Sequence, residues 1–274
     1  MAPASFTQNS KTVCVMDASG SLGSTLVERL LHKGYTVHAA VPNHGELQCF
    51  EGEHYDNKKL RVFHSDPLDY HSIMDALKGC SGLFYSFEPS SDRPTYDEFM
   101  AEVEVRAAHN VLEACARTDT IDKVVFTSSA TALWHALSKT LAEKTAWALA
   151  MDRGVNMVSI NGGFLMAPPH LTIKNPYLKG AAEMYEDGVF VTVDLNFIVG
   201  SHICIFENVS SYGRYLCFNH VISCNKDATK LAHILLPPSE ACSPERLEDT
   251  RVYQQRISNK KLNKLMGERL VLVS

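Results

Sequence analysis

The 274-residue sequence has no Cys-x-x-Cys pair, no His-Glu-x-x-His, no block of Lys and Arg, no internal repeat and no low-complexity tract. Each absence removes a class of function. Without paired cysteines or ligand-spaced histidines, its eight cysteines and twelve histidines give no zinc site. Cys14, Cys49, Cys80, Cys115, Cys204, Cys217, Cys224 and Cys242 mostly sit in apolar runs and are expected as reduced core thiols. Scattered basic residues and a net charge of −5 argue against a nucleic-acid partner. Apolar stretches fall well short of the roughly 18 residues of a spanning helix, so no membrane partner is expected. Met1 to Lys11 is polar and shows no targeting signal, which makes a cytoplasmic location the expectation.

What is present is a regular alternation. Apolar runs at Thr12–Met16, Thr36–Val41, Leu60–Ser65, Gly82–Phe87, Lys123–Ser129 and Asn156–Asn161 read as strands. Between them lie helical patterns, such as Leu22, Leu26, Leu30 and Leu31 ending at Gly34, and Val103, Ala107, Val111, Leu112 and Cys115. Strand–helix alternation predicts an α/β fold with a doubly wound parallel sheet of Rossmann type, because each crossover returns the chain to the same end of the sheet. The regularity fades after Ala167. A dinucleotide-binding domain over 11–167 is therefore expected, with a smaller C-terminal substrate lobe over 168–274 interleaved with it. That lobe would cover the strand ends, where such folds hold their ligands.

The first strand–turn–helix carries Asp17-Ala18-Ser19-Gly20-Ser21-Leu22-Gly23. A glycine turn in this place brings backbone amides and a helix N-terminus to a pyrophosphate. The alternative is that Gly20 and Gly23 only allow strand and helix to pack closely. Asp visits positive φ more readily than most residues, so Asp17 is sterically admissible, but its charge opposes a phosphate.

This turn is followed in order by Gly34-Tyr35-Thr36-Val37-His38-Ala39, Asp66-Pro67-Leu68-Asp69, Asn110-Val111-Leu112-Glu113-Ala114-Cys115, Val125-Phe126-Thr127-Ser128-Ser129, Ser138-Lys139-Thr140-Leu141-Ala142-Glu143 and Gly213-Arg214-Tyr215-Leu216-Cys217. Together they resemble the plant cinnamoyl-CoA reductase and dihydroflavonol 4-reductase family of extended short-chain dehydrogenases/reductases, over roughly residues 11 to 265. The resemblance implies an oxidoreductase that interconverts a carbonyl and a CH–OH group on a phenylpropanoid-type aromatic small molecule, with NADP as cofactor and NAD as the alternative. It places Asp17, Ser19, Gly20, Ser21, Leu22 and Gly23 at the pyrophosphate and Asp66 at the adenine. Ser129 would hold the substrate oxygen, and Lys139 would hold the ribose. His135 stands where the family has its proton-relaying Tyr, four residues before the Lys.

Four departures accompany this likeness. Asp17 replaces the first glycine of the turn, and Pro42 stands where an Arg grips the 2′-phosphate, which a proline cannot do. Only Ala130 to Trp134 separate Ser129 from His135, against some 35 residues in relatives. His38, His44, Lys58 or Lys59 are candidates to replace the missing Arg, or are solvated surface groups. For His135 two readings stand: an imidazole acid, whose cation the neighbouring ammonium disfavours, or a non-catalytic replacement. A binding or regulatory protein on a reductase scaffold is accordingly the second expectation for the whole chain.

Overall fold

The computed structural model describes residues 11–42, 58–87, 98–130, 137–168, 171–172, 175–236 and 251–273. His135, Trp134, His44, Cys49 and Cys242 lie outside them. In chain order the elements are β1 (Thr12–Met16), α1 (Ser21–His32), β2 (Thr36–Val41), β3 (Leu60–His64), α2 (Tyr70–Leu77), β4 (Gly82–Tyr85), α3 (Glu98–Ala116), β5 (Lys123–Ser129), α4 (Leu137–Arg153) and β6 (Met157–Gly162). They continue as β7 (Phe164–Met166), α5 (Ala181–Glu186), β8 (Val191–Asp194), α6 (Leu195–Glu207), β9 (Gly213–Cys217), β10 (His220–Val221), α7 (Asn225–Leu235) and α8 (Lys260–Val273). Local chemistry sets several boundaries. Gly34 takes φ 90° just beyond α1, where its N–H and that of Tyr35 donate to Leu31 and Leu30, the stop that glycine supplies at a helix end. Asp69 caps α2 by accepting the His71 N–H at 3.0 Å.

Seven strands form one sheet in the order β3-β2-β1-β4-β5-β6-β9, every neighbouring pair parallel. The order reverses direction between β1 and β4, which opens a crevice at their carboxyl ends. One face is covered by α1, α6 and α8 through Leu26, Leu30, Ile203, Leu262 and their neighbours. The other is covered by α2, α3 and α4 through Ile73, Leu77, Val111, Leu112 and Ala146. With both faces buried, the central strands are apolar throughout instead of alternating. A second sheet, β10-β8-β7, carries a small core of Phe164, Met184, Phe190, Ile222, Leu231 and Leu235. α6 and α8 pack on the main sheet and β9 belongs to it, so elements that follow β8 in the chain return to that sheet. Five of the six described cysteines are buried and all six are free. No helix among the described residues is long and apolar enough to cross a membrane.

Candidate active site

The two glycines of the turn after β1 stand differently in the fold. A Cβ on Gly23 would lie 2.1 Å from the Asp17 carbonyl oxygen and 2.8 Å from the Ala18 Cα. Gly23 is therefore a packing requirement of helix on turn. A Cβ on Gly20 would meet nothing nearer than 3.6 Å, and Gly20 has an ordinary extended conformation at the N-cap of α1. Neither packing nor backbone angle requires a glycine there. Asp17 has φ 63° and is the one non-glycine with positive φ among the described residues. Its Cγ and Oδ1 lie 3.7 Å from the position of a Gly20 Cβ, so the carboxylate sits beside the start of α1. The first turn of α1 holds no acidic residue of its own. Ser19 and Ser21 are half-buried beside it, Leu22 is buried, and the Ser21 hydroxyl donates to the carbonyl of Pro168.

Below this turn, a cavity is lined at the strand ends by Ser86, Thr127, Ser128, Ser129, Gly162 and Gly163. Its walls include Lys139 and the apolar side chains of Leu22, Phe87, Phe164, Tyr177 and Ile198. Ser129 and Lys139 thus converge on one space, Ser129 from the end of β5 and Lys139 from the first turns of α4. Lys139 lies 3.0 Å from Glu104 Oε1 on α3, with the two side chains 9% and 1% exposed. The contact is a charge pair without hydrogen-bond alignment. Lys139 Nζ also donates to the carbonyl of Phe87. Sequence reasoning did not find Glu104. The available signal was its position three residues before Ala107 and seven before Val111, a carboxylate on the apolar stripe of α3.

Two buried networks support the cavity. His202 on α6 is fully buried. Its Nδ1 donates to the Ile198 carbonyl at 2.8 Å, which leaves Nε2 to accept the Thr127 hydroxyl at 2.9 Å. Burial pushes its pKa down to about 4, with the Ile198 hydrogen bond opposing in part, so the ring is neutral and fixes Thr127 in the cavity floor. Glu143, one turn beyond Lys139, accepts from Ser159 at 2.8 Å, Asn161 at 2.8 Å and Arg214 at 2.7 Å. Burial raises its pKa, but these hydrogen bonds and the Arg214 charge outweigh it and hold the carboxyl below its usual range. The network ties α4 to β6 and β9. Gly162 and Gly163 follow, and a Cβ on Gly163 would lie 2.8 Å from the Val191 carbonyl oxygen, so β8 approaches too closely for any side chain.

The remaining expected residues are placed as follows. Asp66 is exposed just after β3, and its Oδ1 accepts the Leu68 N–H at 2.8 Å in a turn leading to α2. His38 corrects the sequence reading. It is 4% exposed and hydrogen-bonded through Nδ1 to Ala76 at 2.8 Å, so it is neither a surface group nor a partner for a phosphate. Pro42 ends the described segment after β2. A helix N-terminus at Gly20, the strand-end crevice, and a serine and lysine lining the cavity are groups that suit a dinucleotide. Asp17 is the one group that works against it.

Residues 18–157 match the profile of the family described as NAD(P)H-binding. Cinnamoyl-CoA reductase 1 of Petunia hybrida is 32% identical over 298 residues, spanning 93% of this chain and 86% of the relative. The chain belongs to the cinnamoyl-CoA reductase and dihydroflavonol 4-reductase family. Dihydroflavonol 4-reductase of Arabidopsis thaliana is 30% identical, covering 77% of this chain and 66% of its own. The solved structure of vestitone reductase from alfalfa (Medicago sativa) superposes with a TM-score of 0.66 at 22% identity, over 93% of this chain and 91% of that one. The NAD(P)H-binding profile and the reductase relatives support a nicotinamide cofactor for this chain.

Proposed function

We propose that the chain is an NAD(P)H-dependent reductase of an aromatic, phenylpropanoid-type aldehyde, ketone or acyl thioester. The observation that carries this reading is the meeting of Ser129 and Lys139 in one cavity walled by Phe87, Phe164 and Tyr177. Flat aromatic walls with a few convergent polar groups suit a flat aromatic substrate. A reduced nicotinamide supplies a hydride to the carbonyl carbon when bound. Gly20, Ser21, Leu22 and the N-terminus of α1 hold the pyrophosphate, Asp66 lies on the adenine side, and Lys139 binds the ribose. Ser129 donates a hydrogen bond to the carbonyl oxygen, where negative charge develops. His135, four residues before Lys139, is assigned the proton relay from sequence alone. NADPH is the proposed donor, with NADH the alternative because Pro42 stands in the place of a phosphate-gripping Arg.

A second reading has one observation in its favour. The Asp17 carboxylate beside Gly20 opposes the pyrophosphate, as expected of a binding or regulatory protein that has kept the scaffold. A steady-state assay over hydroxycinnamoyl aldehydes, ketones and thioesters with each nucleotide separates the two. For the enzyme, Ser129→Ala and Lys139→Ala each lower turnover by about 10² or more, as loss of a transition-state donor does. Absence of turnover across the panel, with a folded protein, supports the second reading.

A further inference from the structure

Glu104 is difficult to explain as a stabilising residue. Its side chain is 1% exposed, its Oε2 has no hydrogen-bond partner among the described residues, and Lys139 is its counter-ion. Burying two charges costs more than such a pair ordinarily returns unless further hydrogen bonds satisfy both ends. An apolar side chain would continue the face formed by Ala107, Ala108 and Val111 without that cost. The consequence of the carboxylate falls on Lys139.

We propose that Glu104 is the positioning residue of this site, holding Lys139 charged and fixed at the cavity wall. The proposal rests on the reading of the cavity as a reductase site. Burial disfavours an ammonium and an adjacent carboxylate restores it. With Glu104 in place, the pair carries no net charge, so Lys139 acts through directed N–H bonds rather than as a general attractant for anions. The Phe87 carbonyl gives the ammonium a second anchor.

Among the described residues, Tyr85, Asp17 and Glu143 are the other titratable groups near the pair, and each is engaged otherwise. Tyr85 on β4 feels both Lys139 and Glu104, but burial holds its phenol protonated well above its ordinary range. Asp17, from the turn after β1, acts on that same phenol. Glu143, one turn along α4, is engaged by Ser159, Asn161 and Arg214.

The test is a lysine titration that needs no nucleotide. Full-length protein carrying [13Cε]lysine is followed by NMR from neutral to alkaline pH as wild type, Glu104→Gln and Glu104→Asp, with Lys139→Met assigning the resonance. In Glu104→Gln, Lys139 titrates at least about one pH unit lower than in wild type, and Glu104→Asp stays near wild type. NADPH affinity, unchanged across that range in wild type, falls about tenfold in Glu104→Gln as pH passes the lowered value. Identical lysine titrations in wild type and Glu104→Gln overturn the proposal while leaving the reductase reading intact. A lowered titration in a protein that binds neither nucleotide has the opposite meaning: Glu104 governs Lys139, and the cofactor reading fails. Should Glu104→Gln not fold, Lys139→Met carries the test, because it strands the Glu104 carboxylate and adding Glu104→Gln should then recover thermal stability. A double variant no more stable than Lys139→Met overturns the pairing.

Discussion

The His202–Thr127 pair predicts a specific loss of stability between pH 7 and pH 5. His202 is neutral in the fold, with a pKa of about 4, and titrates near 6.5 in the unfolded chain. Its folded value is depressed, so between these limits the unfolded state binds more protons and stability falls as pH falls. The contribution is present above about pH 6.5 and fully lost near pH 4. Integrating between pH 7 and pH 5 gives about 2 kcal/mol from this one ring. At roughly 2–4 °C per kcal/mol for a domain of this size, the midpoint should drop by about 4–8 °C. His38, also buried and with its pKa lowered chiefly by burial, adds to the slope in the same direction. Glu143 does not enter this window, because a depressed carboxyl loses its contribution only below about pH 4.5. The assay is urea unfolding of wild type and His202→Gln at both pH values. The slope is the readout, since the substitution lowers stability at every pH by disturbing a buried hydrogen-bonded site. His202→Gln should lose about 2 kcal/mol less than wild type on going from pH 7 to pH 5. Equal losses in the two proteins would refute the reasoning, and would mean that water or a local opening reaches the ring.

Three further substitutions separate ligand chemistry from packing in the glycine turn. Asp17→Gly removes a carboxylate that, at about 6 Å from a phosphate and an effective dielectric of about 20, opposes binding by about 2–3 kcal/mol. Calorimetry should show nucleotide affinity rising at least about tenfold, and an unchanged affinity would place the phosphates away from Asp17. Gly20→Ala should alter stability by less than about 1 kcal/mol while weakening nucleotide binding, whereas Gly23→Ala, whose Cβ would overlap the Asp17 carbonyl at 2.1 Å, should destabilise the fold by about 3 kcal/mol or more. Thermal melts with and without nucleotide check both, and a destabilising Gly20→Ala would contradict the division of roles.

Much of the fold was legible because the crossovers are short and punctuated. Gly34 closes α1, Asp69 opens α2, and the apolar runs carry strand length between them. His38 was misread for a reason inherent in this architecture: on a strand covered by helices on both faces, every position is interior, and alternation no longer separates inside from outside. Asp17 was legible to the level of its backbone angle, because few residue types tolerate that place in the turn. Glu104 was not, since its partner lies thirty-five residues away on another helix; its place on the apolar stripe of α3 marks it as interior without saying which cation it faces. Glu143 lay inside a recognised motif, yet its task depends on Ser159, Asn161 and Arg214, which only the register of β6 and β9 brings beneath α4. Tertiary pairing of polar groups, unlike strand and helix periodicity, leaves no pattern in a single sequence.

The central claim is that the crevice at the ends of β1 and β4 binds a reduced nicotinamide nucleotide despite Asp17. It is tested most directly by titrating the purified protein with NADPH and with NADH, following nicotinamide fluorescence or calorimetric heat. Binding in the micromolar range, weakened by Lys139→Ala and tightened by Asp17→Gly, is the predicted result. No binding of either nucleotide at millimolar concentration would contradict the account and leave a reductase fold without its cofactor.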